Sequence, residues 1–531
     1  MCGIAGCLGV EDKKTIERML DALPHRGPND RGIHIFNNMV FGHTRLSIVD
    51  VAKGHQPILT NNGQTGIICN GEIYNFRQLR EKLVNKYRFT TGSDTEVILH
   101  LYREKGPECV RELDGMFAFA IFDGDNFMLA RDPIGIKPLY YGYVDKKLYF
   151  ASELGAMSLA GVKEVHEFPA GHYYTPGEGF VCYYEIPPVR DHRLVDMEET
   201  CRLIRDTFIR SVKKRLLADT EIPIGSFCSG GLDSSLVAAI AAEEIPHLHT
   251  FVVGMKDENG AESDDLKASR VAAKHIGSNH HELIFTENDY YEALPVVIKK
   301  LESYDPSLVR CAVPCYFTCK LAAEYVTVVL TGEGADELFN GYHYMKHISS
   351  ETINQEGRRC VGTLHNINLQ RADRMGMYFS LELRVPFLDV QMVDLAMQIP
   401  ADFKIRESEK AGDRIEKWIL RKAFENTDYL PEDILWRYKV QYTQGAGCES
   451  LGEKLAESEI SEDEYQRINA ENPRAVINSR EAAYYFKIFR RYHPQDSVLG
   501  SIGIWNGFDF AEEREPVRGT MDGKLKHNLI L

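Results

Sequence analysis

Apolar and polar positions alternate in short runs through the first 185 residues. The stretches "GIICNGEIYN" (66–75), "FAFAIFDGDNFMLARD" (117–132) and "PLYYGYVDKKLYFASE" (138–153) carry β-branched and aromatic residues broken by Gly, Asp and Asn, the mark of short strands joined by turns. Between them, "FRQLREKLVNKY" (76–87) and "SDTEVILHLYREKG" (93–106) repeat apolar residues at helical spacing. Many strands with a few helices predict a layered α+β domain. The segment "EIPPVRDHRLVD" (185–196) has prolines and charges but no period, and marks a domain boundary. Beyond it "CRLIRDTFIRSVKKRLLA" (201–218) predicts an amphipathic helix. "IPIGSFCSGG" (222–231), "LHTFVVGM" (248–255) and "YVTVVLTGEG" (325–334) then read as buried strands, each running into a Gly-containing loop. Strands alternating with helices predict a doubly wound α/β domain, whose ligand site lies at the carboxyl ends of its strands. After Leu388 the pattern is mostly helical.

Composition narrows the class. A chain of 531 residues exceeds one ordinary core and predicts at least two domains. The net charge of −16 argues against a nucleic-acid surface, and no run approaches the ~18 apolar residues of a membrane span. Charged residues begin at Glu11, so the N-terminus lacks the look of a signal peptide. The twelve cysteines form no CxxC pairs, which reads as reduced thiols in a cytoplasmic setting. Cys311, Cys315 and Cys319 share one helical face, and small core residues account for them better than a zinc site does.

Two loops carry phosphate chemistry. In "FCSGGLDSSLVAAIAAEEI" (227–245) a strand ends at Cys228, Ser229-Gly230-Gly231 turns, and Asp233-Ser234-Ser235 opens a helix. Paired glycines let backbone N–H groups converge on an anion, and the helix N-terminus adds positive potential. No Gly-Lys-Ser/Thr follows, so this is not a Walker A loop. The string resembles the SGGxDS loop of the ATP pyrophosphatases, which cleave between the α- and β-phosphates. A second loop, "VVLTGEGADELFNGY" (328–342), presents Glu333, Asp336 and Glu337 among glycines. Asp233 and Asp336 are candidate Mg²⁺ ligands, since hard oxygen donors suit that ion, and Glu333 is a candidate base.

Cys2 stands directly behind Met1. Removal of Met1 leaves a thiol and an α-amine on one residue. An amine with a pKa of about 7.7–8.0 is a fitting general base near neutrality, so such a cysteine needs no histidine. Asn70 and Gly71 in "CNGEIYN" offer oxyanion donors.

"MCGIAG", "HRGPND", "HTRLSIVD", "NGEIYN", "TGSDTEVI" and "RDPIGIKPLYY" resemble the landmarks of class II glutamine amidotransferase domains, in their usual order. With "SGGLDSS", "TGEGADELFNGY", "LELRVPFLD" and "EKWILRKAF", the chain resembles the glutamine-dependent asparagine synthetases, from Cys2 to "YYFKIFRRYHP". The resemblance implies an N-terminal-nucleophile αββα sandwich over residues 1–185, a linker over 186–199, and an ATP pyrophosphatase-type α/β domain over 200–531. It implies that Cys2 attacks the glutamine carboxamide, Asn70 and Gly71 form the oxyanion hole, and Arg45 pairs with the substrate carboxylate. Leu46, Ser47, Ile48 and Val49 then line the pocket, while Glu72 and Asp94 hold the α-amino group. The same resemblance implies that Cys228, Ser229, Gly230, Gly231, Asp233, Ser234, Val253, Thr331 and Gly332 surround ATP and that Asp233 and Asp336 bind Mg²⁺. Glu333 helps form an acyl-adenylate and takes a proton from ammonia, and Lys439 in "WRYKVQY" stabilises phosphate charge. Small-molecule partners (glutamine, aspartate and ATP), an interdomain ammonia tunnel and a homodimer come with the family.

The acceptor side departs from the family's pattern. "PSLVRCAV" (306–313) stands where a Thr-Thr-Ile-Arg-Ala-Ser-like stretch is usual, Val440 replaces an acid after Lys439, and the last 30 or so residues match nothing in the family. Amidation of a carboxylic acid other than aspartate therefore stays open, as does a catalytically dead relative, although no site residue is visibly lost.

Overall fold

Strand Gly3–Leu8 lies between Met39–Arg45 and Lys147–Ala151, antiparallel to both, inside a six-stranded sheet. The computed structural model describes residues 1–189, 194, 196–257, 259–408 and 414–505. Most of the unmatched C-terminal stretch falls outside them. Side chains alternate across a strand, so each face of the sheet meets a different layer. Ile4 and Leu8 join Phe41 and Phe150 in one apolar layer, while Ala5 and Cys7 pack with Ile16, Met19 and Leu20 of helix Lys13–Asp21. A second antiparallel six-stranded sheet, centred on Thr65–Ile73 and Gly115–Asp123, adds Ile68, Ala118, Ala120 and Phe122 to the inner layer. Its opposite side, with Ile67, Cys69 and Ile73, is covered by helices Phe76–Leu83 and Thr95–Lys105. The layers run helix, sheet, sheet, helix. Close approach fixes Gly6, where a Cβ would stand 2.3 Å from the Phe150 ring and 2.8 Å from the Val40 carbonyl.

The second half is built on five parallel strands in the order Asn279–Ile284, His249–Gly254, Ile224–Phe227, Val328–Leu330, Glu382–Arg384. The chain starts in the middle and winds outward both ways, so the winding direction reverses between Ile224–Phe227 and Val328–Leu330. Loops diverge there and leave a crevice beyond the carboxyl ends of both strands. Helices Met197–Lys214 and Leu232–Glu244 cover one face, and Glu287–Leu301, Pro306–Ala322 and Asn368–Tyr378 cover the other. The first of these starts inside the stretch expected as linker, because Asp196 caps it by accepting from the Glu199 N–H. Past Leu388 the described chain is mainly helical; its last α-helix is Arg480–Tyr492, followed by a 3-10 turn at Asp496–Ser501. No helix among the described residues is long and apolar enough to cross a membrane.

Buried charges join the halves. Glu302 accepts from the backbone N–H groups of Leu154, at 2.9 Å, and Gly155, and pairs with Arg374 at 3.1 Å. Helix Asn368–Tyr378 carries Arg371, Asp373 and Arg374, all buried.

Candidate active sites

Cys2 is buried immediately before strand Gly3–Leu8. Its backbone N–H donates to Asn70 Oδ1 at 3.0 Å, and its thiol lies 3.9 Å from the Leu46 carbonyl. Burial pushes the thiol pKa up, and the nearby chain-terminal ammonium opposes the shift. Asn70 spends its oxygen on Cys2, while its Nδ2, also buried, has no hydrogen-bond partner among the described residues. A spare buried donor beside a nucleophile suits a developing oxyanion. The neighbouring Gly71 cannot take a side chain, because a Cβ would meet the Met116 carbonyl at 2.2 Å.

Two carboxylates face the same space. Asp94 accepts from the Ile73 N–H at 2.8 Å, and burial pushes its pKa up to about 6. Glu72 is pushed well above the usual carboxylate range by burial and by Glu382; its Oε2 accepts no hydrogen bond among the described residues and forms an ion pair with Arg384 at 3.7 Å. Carboxylates whose burial opposes ionisation gain from the arrival of an ammonium group. Arg45 uses three of its five donors on the Val49, Asp50 and Val51 carbonyls of its own loop, shaping the pocket wall and leaving two over. Ser47 N–H donates to Asn29 Oδ1, and the Ile48 carbonyl accepts from the Asp219 N–H, so the wall is tied to the second half. Met1 is present, its ammonium 3.0 Å from Glu382.

The crevice of the parallel sheet is a cavity of about 520 Å³ lined by Ser229, Gly231, Asp233, Ser234, Val253, Thr331, Gly332, Glu333, Asp336 and Lys439, among others. The loop after Phe227 turns through Gly230 at φ +72°, where a Cβ would meet the Ala268 backbone at 2.3 Å. Cys228 and Gly230 lie behind the lining; the Cys228 thiol is 3.9 Å from Ser235 Oγ. Ser234 Oγ accepts from the Ser229 N–H at 3.1 Å, bracing the turn at the start of helix Leu232–Glu244.

Asp233 and Asp336 converge on one cation. Lys417 Nζ is 2.6 Å from Asp233 and 2.7 Å from Asp336, and Lys439 Nζ reaches the other oxygen of Asp336 at 2.7 Å. The two lysines hold Asp336 well below the usual carboxylate range. Asp233 Oδ1 is buried without a hydrogen-bond partner among the described residues. Two carboxylates, one with a free oxygen, fit a hard cation that takes its remaining oxygens from phosphates and water. Lys417 sits in a left-handed conformation, φ +53°, at the start of helix Trp418–Phe424, and is 1% exposed. Glu333 forms an ion pair with Arg371.

Of the residues expected around Cys2, Asn70 and Leu46 touch it directly, and of those expected around the nucleotide, Ser229, Gly231, Asp233, Ser234, Val253, Thr331 and Gly332 line one cavity. Sequence reading passed over Lys417, Arg371 and Arg26, although "EKWILRKAF" carried a signal in its charge flanked by apolar residues. Cys315 and Cys319 lie 4.0 Å apart on the buried side of helix Pro306–Ala322, and Cys311 and Cys315 line the cavity.

An N-terminal cysteine pocket fused to a phosphate-loop cavity defines a two-site amidotransferase architecture. A glutamine amidotransferase domain model matches residues 1–176, and an asparagine synthase model matches 203–356 and 345–482. Relatives include "Asparagine synthetase [glutamine-hydrolyzing] 3" of Arabidopsis thaliana, 37% identical over 94% of this chain and 89% of that one. Another, from Dictyostelium discoideum and named "Probable asparagine synthetase [glutamine-hydrolyzing]", is 36% identical over 95% and 96%. The chain belongs to the asparagine synthase family. A solved structure of the allosteric regulatory enzyme of purine biosynthesis aligns with 48% of this chain and 66% of its own at 22% identity, with a TM-score of 0.32.

Proposed function

We propose that this chain is a glutamine-hydrolysing asparagine synthetase, with an N-terminal-nucleophile domain over 1–185 and an ATP pyrophosphatase-type domain over 200–531. The observation that carries the reading is the Cys2–Asn70 pair: a cysteine held by one end of a buried amide whose other end is a spare donor. With Met1 removed, the α-amine of Cys2 takes the thiol proton. The thiolate attacks the glutamine carboxamide, Asn70 Nδ2 and the Gly71 N–H receive the oxyanion, and ammonia leaves. Glu72 and Asp94 bind the substrate ammonium and Arg45 its carboxylate, against Leu46 to Val49.

In the second site ATP lies between the Ser229–Ser234 turn and Val253, Thr331 and Gly332. Asp233 and Asp336 would hold Mg²⁺, which neutralises charge on the pyrophosphate when bound, and Lys417 and Lys439 face the same phosphates. Aspartate attacks the α-phosphate through its β-carboxylate, pyrophosphate departs, and ammonia displaces AMP with Glu333 taking a proton. A cytoplasmic setting and a homodimer belong to the same reading. The test is pyrophosphate release from Mg-ATP and glutamine with and without aspartate, with the amide identified by mass. Aspartate-dependent release with asparagine as product supports the reading; glutamate formation without aspartate-dependent pyrophosphate overturns the choice of acceptor.

A further inference from the structure

The cavity is larger than its phosphate end, and its far wall carries its own chemistry. Six cations line it: Arg310, Arg371, Lys417, Arg421, Arg437 and Lys439. Lys417 and Lys439 are held on the two aspartates. Arg421 is spent on Glu416 and on the Leu435 and Arg437 carbonyls, and Arg437 on Asp265. Arg310, from the stretch where the sequence leaves the family's pattern, is gripped by both oxygens of Glu481. That leaves Arg371. It is 4% exposed, has Glu333 as its one carboxylate partner, and its buried Nε has no hydrogen-bond partner among the described residues. Around it stand Cys311, Cys315 and Thr318 on one helix and the Tyr442 ring, 5.7 Å from the guanidinium carbon. A buried guanidinium with spare donors, in a wall otherwise of thiols, a hydroxyl and an aromatic ring, is a receptor for a planar anion.

We propose that Arg371 anchors the acceptor through the carboxylate that does not react, so the acceptors of this site are dicarboxylic. This rests on the function proposed above. The fork has enough donors to keep Glu333 on one nitrogen while a substrate carboxylate takes the others. Arg371 then fixes the distance between the acceptor and the candidate base, doing the work that the hydroxyl-rich stretch absent from 306–313 is not there to do.

The full-length chain with Arg371→Gln and Arg371→Lys tests this, using ammonia as nitrogen donor so that Cys2 is bypassed. The expected result for Arg371→Gln is a KM for aspartate raised by about 10- to 100-fold, the worth of a charge-assisted pair, with the KM for ATP unchanged. Arg371→Lys falls between. 3-Aminopropanoate, which keeps the amine and the reacting carboxylate but lacks the second one, shows no such rise: its KM is the same for Arg371→Gln and wild type, whatever kcat loses through Glu333. Glutamine hydrolysis, read in the same preparations, reports that the variants fold. Equal loss toward aspartate and ATP, or an unchanged KM for aspartate, overturns the proposal. Failure of the wild type to amidate aspartate at all overturns the functional reading instead, and the two failures cannot be confused.

Discussion

Arg26 and Asp373 meet across the boundary between the halves, with both terminal nitrogens of the guanidinium on the carboxylate, at 2.7 and 3.0 Å. The third nitrogen donates to the Cys2 carbonyl at 3.0 Å, and one terminal nitrogen also reaches Glu153 at 2.9 Å. The nucleophile's backbone is therefore held by a residue that is itself held by the other half. Arg26→Gln takes one of two basic partners from each of Asp373, which keeps Arg374, and Glu153, which keeps His25, a loss of up to about 3–5 kcal/mol for a buried pair of this kind. The expected outcome is a lower melting temperature together with slower glutamine hydrolysis. In the double variant with Asp373→Asn, the two losses sum to less than their separate values. Strict additivity would show that the pair does not act as a unit.

Cys2→Ala removes the thiol and nothing else of the pocket. Glutamine-dependent amide formation should vanish, while ammonia-dependent formation continues at close to the wild-type rate. Loss of both activities, or of neither, would refute two separate sites.

Asn70→Ala deletes the buried spare donor. Removal of one oxyanion donor costs about 10²–10³ in kcat, with KM for glutamine changing far less. A mainly KM effect would mean that Asn70 binds the ground state and not the developing charge.

Asp94 titrates at about 6 because burial opposes its ionisation. The ionised form is the one that binds an ammonium, so kcat/KM for glutamine should fall as pH drops through about 6, and Asp94→Asn should abolish that limb. Stability runs the other way. The folded chain holds a proton that the unfolded chain releases near the ordinary value of 3.8, so stability declines as pH rises from there to about 6. The Asn variant should therefore melt higher than wild type at pH 8, which parallel melts across pH will measure.

Lys417→Gln strips the cation from between Asp233 and Asp336. Removing one partner from a buried ion cluster costs about 3–5 kcal/mol, so the variant should melt lower, and added Mg²⁺ should raise its melting temperature more than that of the wild type. An equal Mg²⁺ response in both proteins would argue against these carboxylates as the ion's ligands.

What the sequence made legible was whatever the backbone needs locally. Gly230 must turn at positive φ, Asp233 must follow it at the start of a helix, and Asn70-Gly71 must pass close beneath a neighbouring strand; each requirement leaves its residue type in a short string. What stayed hidden were the charges whose partners lie far off in the chain. Lys417 is 184 residues from Asp233, and Arg26 is 347 from Asp373. Strand Glu382–Arg384 was hidden differently: two of its three residues are charged, and they lie wholly buried in a sheet because they pair with each other at 2.6 Å, Glu382 meets the Met1 ammonium, and Arg384 donates to the Arg215 and Leu217 carbonyls. No local period announces such a strand.

Helix Asn368–Tyr378 turns Arg371 to the cavity and, two residues on, Asp373 to the clamp on Cys2. Two residues span about 3 Å along a helix axis, so the arginine and the aspartate belong to one stiff body. The wall of one site and the clamp on the other site's nucleophile are thus cut from the same piece of helix, which sets the spacing between the two halves of the molecule.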